Sequence, residues 1–205
     1  LEEADVEYIH CKRESGEPED TKIEKCYNEI KDFDPGAIVG FGGGSTLDIS
    51  KVVACLMTND AEKVKDLIDE EINMGLIEDD PLPLLAIETA AGSGSEISLN
   101  AVTQVEGVKA KTAVHDPRII PEIAILDPEL TVSMPRGLTS GTGLDALTHI
   151  MEGALSRGAN PIGDAYAFVA AQTIPKYLPQ ATYNPEDIEA RSQMLFQSMV
   201  GGYSL

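Results

Sequence analysis

The sequence predicts an α/β nucleotide-binding domain followed by the start of an all-α domain, and three observations carry that expectation. Strand-like apolar runs alternate with helical periodicity as far as Asp127-Pro128. Two of those runs lead straight into turns rich in glycine and serine, which is where α/β folds bind ligands. From 128 to 205 the pattern is helical alone, punctuated by Pro135, Pro161, Pro175, Pro179 and Pro185. The expected division is therefore 1–127 and 128–205.

Val6 to Cys11 reads as a strand, closed by a turn at Gly16-Glu17-Pro18. From Thr21 to Phe33, Ile23, Cys26, Tyr27 and Ile30 recur at helical spacing, and Asp34-Pro35-Gly36 ends the run. Ala37 to Phe41 reads as a buried strand that enters three glycines, Gly42-Gly43-Gly44. Ser45 is placed to cap a helix running to about Met57. Ala61 to Ile72 predicts a second helix with Val64, Leu67, Ile68 and Ile72 on one face. After the loop 78–83, Leu84 to Ile87 reads as another buried strand. Ile97 to Val105 and Lys109 to Val114 flank Glu106-Gly107 as a hairpin, and Ile123 to Leu126 is the last strand.

Core size sets no obstacle at 205 residues. The 35 acidic residues against 15 Lys plus Arg give a formal charge of −20. Binding to a nucleic-acid backbone or to an anionic membrane needs clustered cations, so neither partner is expected. No apolar run reaches the roughly 18–20 residues that span a bilayer, and no signal-peptide pattern opens the chain. Cys11, Cys26 and Cys55 are odd in number and form no CxxC pair. That spacing makes neither a disulfide framework nor a zinc knuckle, and it fits a reducing cytoplasm. The chain opens at Leu1 without a Met and stops just after a strong helical pattern, so both ends are expected to be cut from something longer.

Three stretches carry chemistry. In Gly42 to Lys51 a strand enters glycines and then a helix, which brings backbone N–H groups and a positive dipole end to an anion. The run is neither GxGxxG nor GxxxxGK[ST], so the usual fingerprints are not met. Asp48, one turn into the helix, is either a dipole-favoured surface acid or a residue that orders the loop and a cofactor hydroxyl. Lys51 is expected as a solvated helix residue. The second stretch, Thr89 to Glu96, offers hydroxyls to a pyrophosphate or ribose, or is a plain Ser/Gly linker. Lys111, on the hairpin arm, could reach a ribose or amide oxygen, or is an edge-strand lysine. In the third stretch, Asp145 and His149 stand at i and i+4, so both leave one helix on the same side. Oxygen plus imidazole suits Fe(II), Zn(II) or Mn(II), and the alternative is an ordinary Asp–His helix pair.

Gly42-Gly43-Gly44-Ser45-x-x-Asp48-x-x-Lys51 resembles the GGGSxxDxxK run of the iron-containing alcohol dehydrogenases. Thr89 to Glu96 resembles that family's TTAGTGSE turn. Asp127-Pro128-Glu129-Leu130, Met134-Pro135 and Gly143 to Glu152 resemble its DPxL…P…GxDALTHAIE segment, and 160–165 and 190–194 continue in order. The resemblance covers essentially the whole chain. It implies a dehydroquinate synthase-like α/β domain that binds NAD or NADP and a helical domain that binds Fe²⁺ or Zn²⁺. By position, Gly43, Gly44 and Ser45 would meet the pyrophosphate, with Asp48 beside the cofactor. Thr89 and Ser93 would add hydroxyl contacts, Lys111 would reach the nicotinamide-ribose side, and Leu130 and Met134 would pack near the nicotinamide. Asp145 and His149 would be the first two metal ligands.

Two departures stand out. Glu88 occupies a place where the family carries a hydroxyl, and an acid near a pyrophosphate is unfavourable unless it points away. The family's two further metal-binding histidines lie downstream of the helix that ends near Val200, and its opening strand is expected to be missing as well. The resemblance implies reversible hydride transfer between NAD(P)H and a small alcohol or aldehyde, in a homo-oligomer, with no protein side chain offering a convincing general acid. The chain by itself is expected to be inactive. A glycerol dehydrogenase or dehydroquinate synthase relative, and a non-catalytic segment, are the alternatives.

Overall fold

The computed structural model describes residues 3, 5–12, 16–69, 74–108 and 111–204. They form two compact units. The first holds Leu1–Val39, Asp48–Leu85 and Leu99–Glu122, and the second holds Gly40–Leu47, Ala86–Ser98 and Ile123–Leu205.

In the first unit, α1 (Asp20–Ile30) buries Ile23 and Ile30 and carries Asp20 in its first turn, where the helix dipole favours an acid. A short 3-10 turn, Lys31–Phe33, ends it at Asp34, whose φ of 53° lets the chain reverse. β1 (Ile38–Gly42) and α2 (Gly44–Leu56) follow; β1 continues into the second unit, and α2 begins there and runs back into the first. Two residues of β2 (Ile68–Asp69) pair antiparallel with β3 (Met74–Gly75). β4 (Leu84–Glu88) begins in this unit, and β5 (Asn100–Thr103) pairs antiparallel with β6 (Thr112–His115). The hairpin between them turns at Gly107, where φ is +84°. Val52, Val64, Leu67 and Val114 are fully buried together with Ile23 in the core.

β7 (Ile123–Leu126) opens the last part of the second unit, and the sheet order is β1-β4-β7, with parallel strands. Three helices complete it: α3 (Arg136–Leu155), α4 (Pro161–Tyr183) and α5 (Ile188–Ser204). Asn160 caps α4 by accepting from the N–H groups of Ile162 and Gly163, both at 3.1 Å, with Pro161 at the first helical position. Pro175 and Pro179 lie inside α4 without ending it. Ile150, Ile174, Leu178, Met194 and Leu195 interlock from the three helices into one core.

Several expectations change. Val6 to Cys11 is not a strand. The second helix is replaced by a 3-10 turn, Val64–Leu67, followed directly by β2, and Ile72 lies outside the described residues. There Val64, Leu67 and Ile68 are all buried, so the apolar positions serve a tight turn and a strand rather than one helical face. β1 is not buried throughout: Val39 and Phe41 are 52% and 58% exposed, and Ile123 and Ile125 of β7 are exposed likewise. Lys109, placed in the hairpin arm, is outside the described residues. Finally, Cys11 and Cys26 are joined in a disulfide with their Cα atoms 6.0 Å apart, so only Cys55 is a free thiol. Spacing along a chain does not reveal such a pair, because a turn can bring distant residues within bonding distance.

Candidate active site

One residue, Gly43, separates β1 from α2. Its carbonyl accepts from the N–H groups of Thr46 and Leu47, at 2.7 and 3.2 Å, which puts Gly43 rather than Ser45 at the helix cap. The N–H groups of Gly44 and Ser45 therefore fall in the first turn, where no helical carbonyl precedes them, at the positive end of the dipole. A side chain would close this place. A Cβ on Gly42 would stand 2.7 Å from the Thr46 Cβ, and one on Gly44 2.8 Å from the Ser93 Cβ. A Cβ on Gly43 would stand 3.2 Å from the Ala90 Cβ. The two glycine turns thus touch, backbone against side chain.

The second turn is held from several sides. The Thr89 N–H donates to the Gly42 carbonyl at 3.1 Å, tying the end of β4 to the end of β1. Glu88, 1% exposed, bends back so that its Oε1 accepts from the N–H groups of Thr89 and Ala90, at 2.9 and 2.7 Å. Ser93 Oγ accepts from the Ser95 N–H at 3.2 Å and keeps its own proton to donate. Behind the turn, Gly92 lies against Thr142 of α3, and a Cβ there would come within 2.7 Å of the Thr142 Cβ. Gly94, at φ +62°, lies against Gly202 of α5.

α3 also carries Asp145 and His149. The His149 Nε2 and Asp145 Oδ1 stand 3.8 Å apart, with the Asp145 side chain half exposed and the His149 ring largely covered. His149 packs beside Gly201, where an added Cβ would be 3.4 Å from its own Cβ, and its Nδ1 is buried with no hydrogen-bond partner. Two donors about 2.1 Å from one ion stand roughly 3–3.5 Å apart, so a small rotamer change fits this pair to a divalent metal. Among the described residues no group of three or more His, Cys, Asp or Glu gathers to complete such a set.

Leu130 lies within the 3-10 turn Pro128–Thr131 and Met134 just after it, and Asp127 caps the turn by accepting from the Glu129 N–H at 2.9 Å. Met134 is buried and Leu130 half-buried. Gly43, Gly44, Ser45, Thr89, Ser93, Leu130, Met134, Asp145 and His149 all belong to the second unit. Asp48 and Lys111 belong to the first. There Asp48 Oδ2 accepts from the Val102 N–H at 3.3 Å, and the Lys111 ammonium pairs with Glu17 at 2.6 Å.

Lys51 is not solvated. It is 1% exposed, and its Nζ donates to the Asn100 carbonyl at 2.9 Å. A long aliphatic stem can cross an apolar core provided that its ammonium finds an oxygen at the far end. Nor was the inward bend of Glu88 legible, because a sequence does not show where a carboxylate points. The glycine doublet Gly201-Gly202 inside the last turn of α5 is a usable signal of close approach, since glycine within a helix is otherwise unfavourable.

Comparison with known proteins agrees with this layout. The family model described as iron-containing alcohol dehydrogenase matches residues 1–128, and that described as the Fe-containing alcohol dehydrogenase family, C-terminal, matches 139–205. The chain belongs to the iron-containing alcohol dehydrogenase family. It is 36% identical over 202 residues to the NAD-dependent methanol dehydrogenase of Bacillus methanolicus, covering 98% of this chain and 52% of that protein. Among solved structures, it matches an alcohol dehydrogenase from Oenococcus oeni with a TM-score of 0.91 at 30% identity, over 100% of this chain and 52% of that one. The sulfoacetaldehyde reductase from Bifidobacterium kashiwanohense in complex with NAD+ matches with a TM-score of 0.85 at 34% identity, over 93% and 50% of the two chains. The chain spans about half the length of these relatives.

Proposed function

We propose that this chain is the cofactor-binding half and the first metal-ligand pair of an NAD(P)-dependent alcohol dehydrogenase acting on a small alcohol or aldehyde. The observation that carries the reading is the contact of two glycine turns at a helix N-terminus, with the Asp145–His149 helix packed directly behind the second turn. The N–H groups of Gly44 and Ser45 would hold pyrophosphate oxygens, with Gly43 leaving room for their approach. Thr89 and Ser93 would add hydroxyl donors. Leu130 and Met134 would present apolar surface to the nicotinamide. Asp145 and His149 would supply a carboxylate oxygen and an imidazole nitrogen to Fe²⁺ or Zn²⁺. When bound, NAD(P)H supplies the hydride and the ion supplies Lewis acidity toward the substrate oxygen. The residues present add orientation and the exclusion of water.

The break between the two family matches, 1–128 and 139–205, supports a functional division near Asp127-Pro128. Among the described residues no helix is long and apolar enough to cross a membrane. A homo-oligomer in the cytoplasm is the accompanying proposal, with neither nucleic acid nor membrane as a partner, and the Cys11–Cys26 disulfide is the observation that opposes the location.

NADH titration of the 205-residue chain by calorimetry tests the cofactor reading. Saturable micromolar binding supports it, and no heat from a folded sample overturns it. For the metal pair, Asp145→Ala in a chain extended to the relatives' length should strip both metal and activity. Retention of both would refute the ligand assignment.

A further inference from the structure

The side chain of Glu88 lies inside the second glycine turn and takes two of its backbone donors. Its Oε1 accepts from the N–H groups of Thr89 and Ala90, at 2.9 and 2.7 Å, and the residue is 1% exposed. The Thr89 N–H is shared with the Gly42 carbonyl, so the same donor ties the turn to the end of β1. A Cβ on Gly43 would lie 3.8 Å from this carboxylate oxygen and 3.2 Å from the Ala90 Cβ. Glu88 therefore stands beneath both turns at their point of contact. A buried backbone N–H without an acceptor is strongly unfavourable, and a carboxylate accepting two of them fixes the direction of both peptides.

We infer that Glu88 is a positioning residue for the cofactor cradle. It holds the Thr89–Ala90 peptides in the orientation that sets the Thr89 hydroxyl and presses Ala90 against Gly43. This role rests on the cofactor reading given above. It also answers the electrostatic objection to an acid beside a pyrophosphate: the oxygen is turned into the turn's own donors and saturated by them. The cradle for the incoming anion is left to the helix N–H groups of Gly44 and Ser45. The residue acts through reach, not through its net charge toward the cofactor.

Two substitutions separate reach from charge. Glu88→Gln keeps the length and the acceptor oxygen but removes the charge. Glu88→Asp keeps the charge and withdraws the oxygen by one methylene. NADH titration of the 205-residue chain and its variants, paired with hydrogen exchange at the Thr89 and Ala90 amides, reads both effects. Glu88→Gln should bind NADH within about threefold of the parent and keep both amides protected. Glu88→Asp should bind about tenfold more weakly, the factor of one lost hydrogen bond, with faster exchange at those two amides and the remaining amides unchanged. The reverse order, with Gln weak and Asp normal, would overturn the positioning role in favour of a charge effect. Equal binding by all three would overturn any role. Absence of binding in the parent with both amides protected would instead reject the cofactor reading, and the positioning role with it.

Discussion

Gly94 gives the sharpest test of how the second turn meets α5. Two separate penalties face Gly94→Ala. The residue sits at φ +62°, where a Cβ costs roughly 1–2 kcal/mol. The added Cβ would also stand 2.5 Å from the Cα and N of Gly202 and 2.7 Å from the Ser198 carbonyl oxygen. Ordinary carbon contacts begin near 3.5 Å, so α5 would have to retreat by about 1 Å. These neighbours are backbone, with no rotamer to turn aside, so the overpacking adds about 1–3 kcal/mol. The sum, about 2–5 kcal/mol, lowers the melting temperature of a chain this size by roughly 4–20 °C. Gly107→Ala is the control, since Gly107 has φ +84° but an added Cβ there meets nothing within 4 Å. Urea and thermal unfolding of both variants separate the terms. Equal destabilisation by the two would refute the close approach of the turn to α5.

Gly44→Ala places a Cβ 2.8 Å from the Ser93 Cβ and parts the two turns. Its NADH affinity should fall by about tenfold or more with a smaller loss of stability, as read by calorimetry and thermal melting. Cys55 is buried, and burial pushes its thiol up to about 12. It should therefore ignore a thiol reagent at pH 8 in the native chain and react on unfolding in urea. Because its native value lies above the ordinary one of 9.0, its stabilising share is complete below pH 9 and lost as pH rises toward 12, so the urea midpoint should fall over that window. Asp116 behaves in the opposite sense. The Arg118 guanidinium, which donates to both carboxylate oxygens, holds Asp116 below its ordinary value of 3.8. Its stabilising share is present above pH 3.8 and lost as pH falls through the native value, and Asp116→Asn should flatten acid unfolding in that range.

What could be read from the sequence was local and periodic. α1, the strands entering the glycine turns and the helical character of 128–205 each follow from spacing within a few residues, whereas the division of that stretch into three helices does not. Contacts between residues distant in the chain were not legible. Lys51 looked like any surface lysine until α2 proved to lie against β5, with the Asn100 carbonyl waiting 49 residues on. Cys11 and Cys26 gave no sign of pairing because the turn that joins them has no distinctive spacing. Val39 and Phe41 are exposed although their strand reads as buried, because apolar runs report what a strand can bury, not whether anything lies on top of it. In the site, the order of motifs names the candidates, but which way Glu88 and Lys111 turn is set by packing.

The contact of Gly92 with Thr142 makes α3 a ruler. Asp145 follows Thr142 by three residues and His149 by seven, so the pair rises about 4.5 and 10.5 Å along the axis from the point where the turn touches the helix. At about 100° per residue, those offsets bring His149 to within about 20° of the azimuth of Thr142 and Asp145 to within about 60°. A one-residue insertion between Thr142 and Asp145 would swing Asp145 and His149 by about 100° and lift them about 1.5 Å, while leaving every side chain intact. The distance from the second glycine turn to the Asp145–His149 pair is thus encoded as a residue count, and length variation in this stretch should be far less tolerated than substitution.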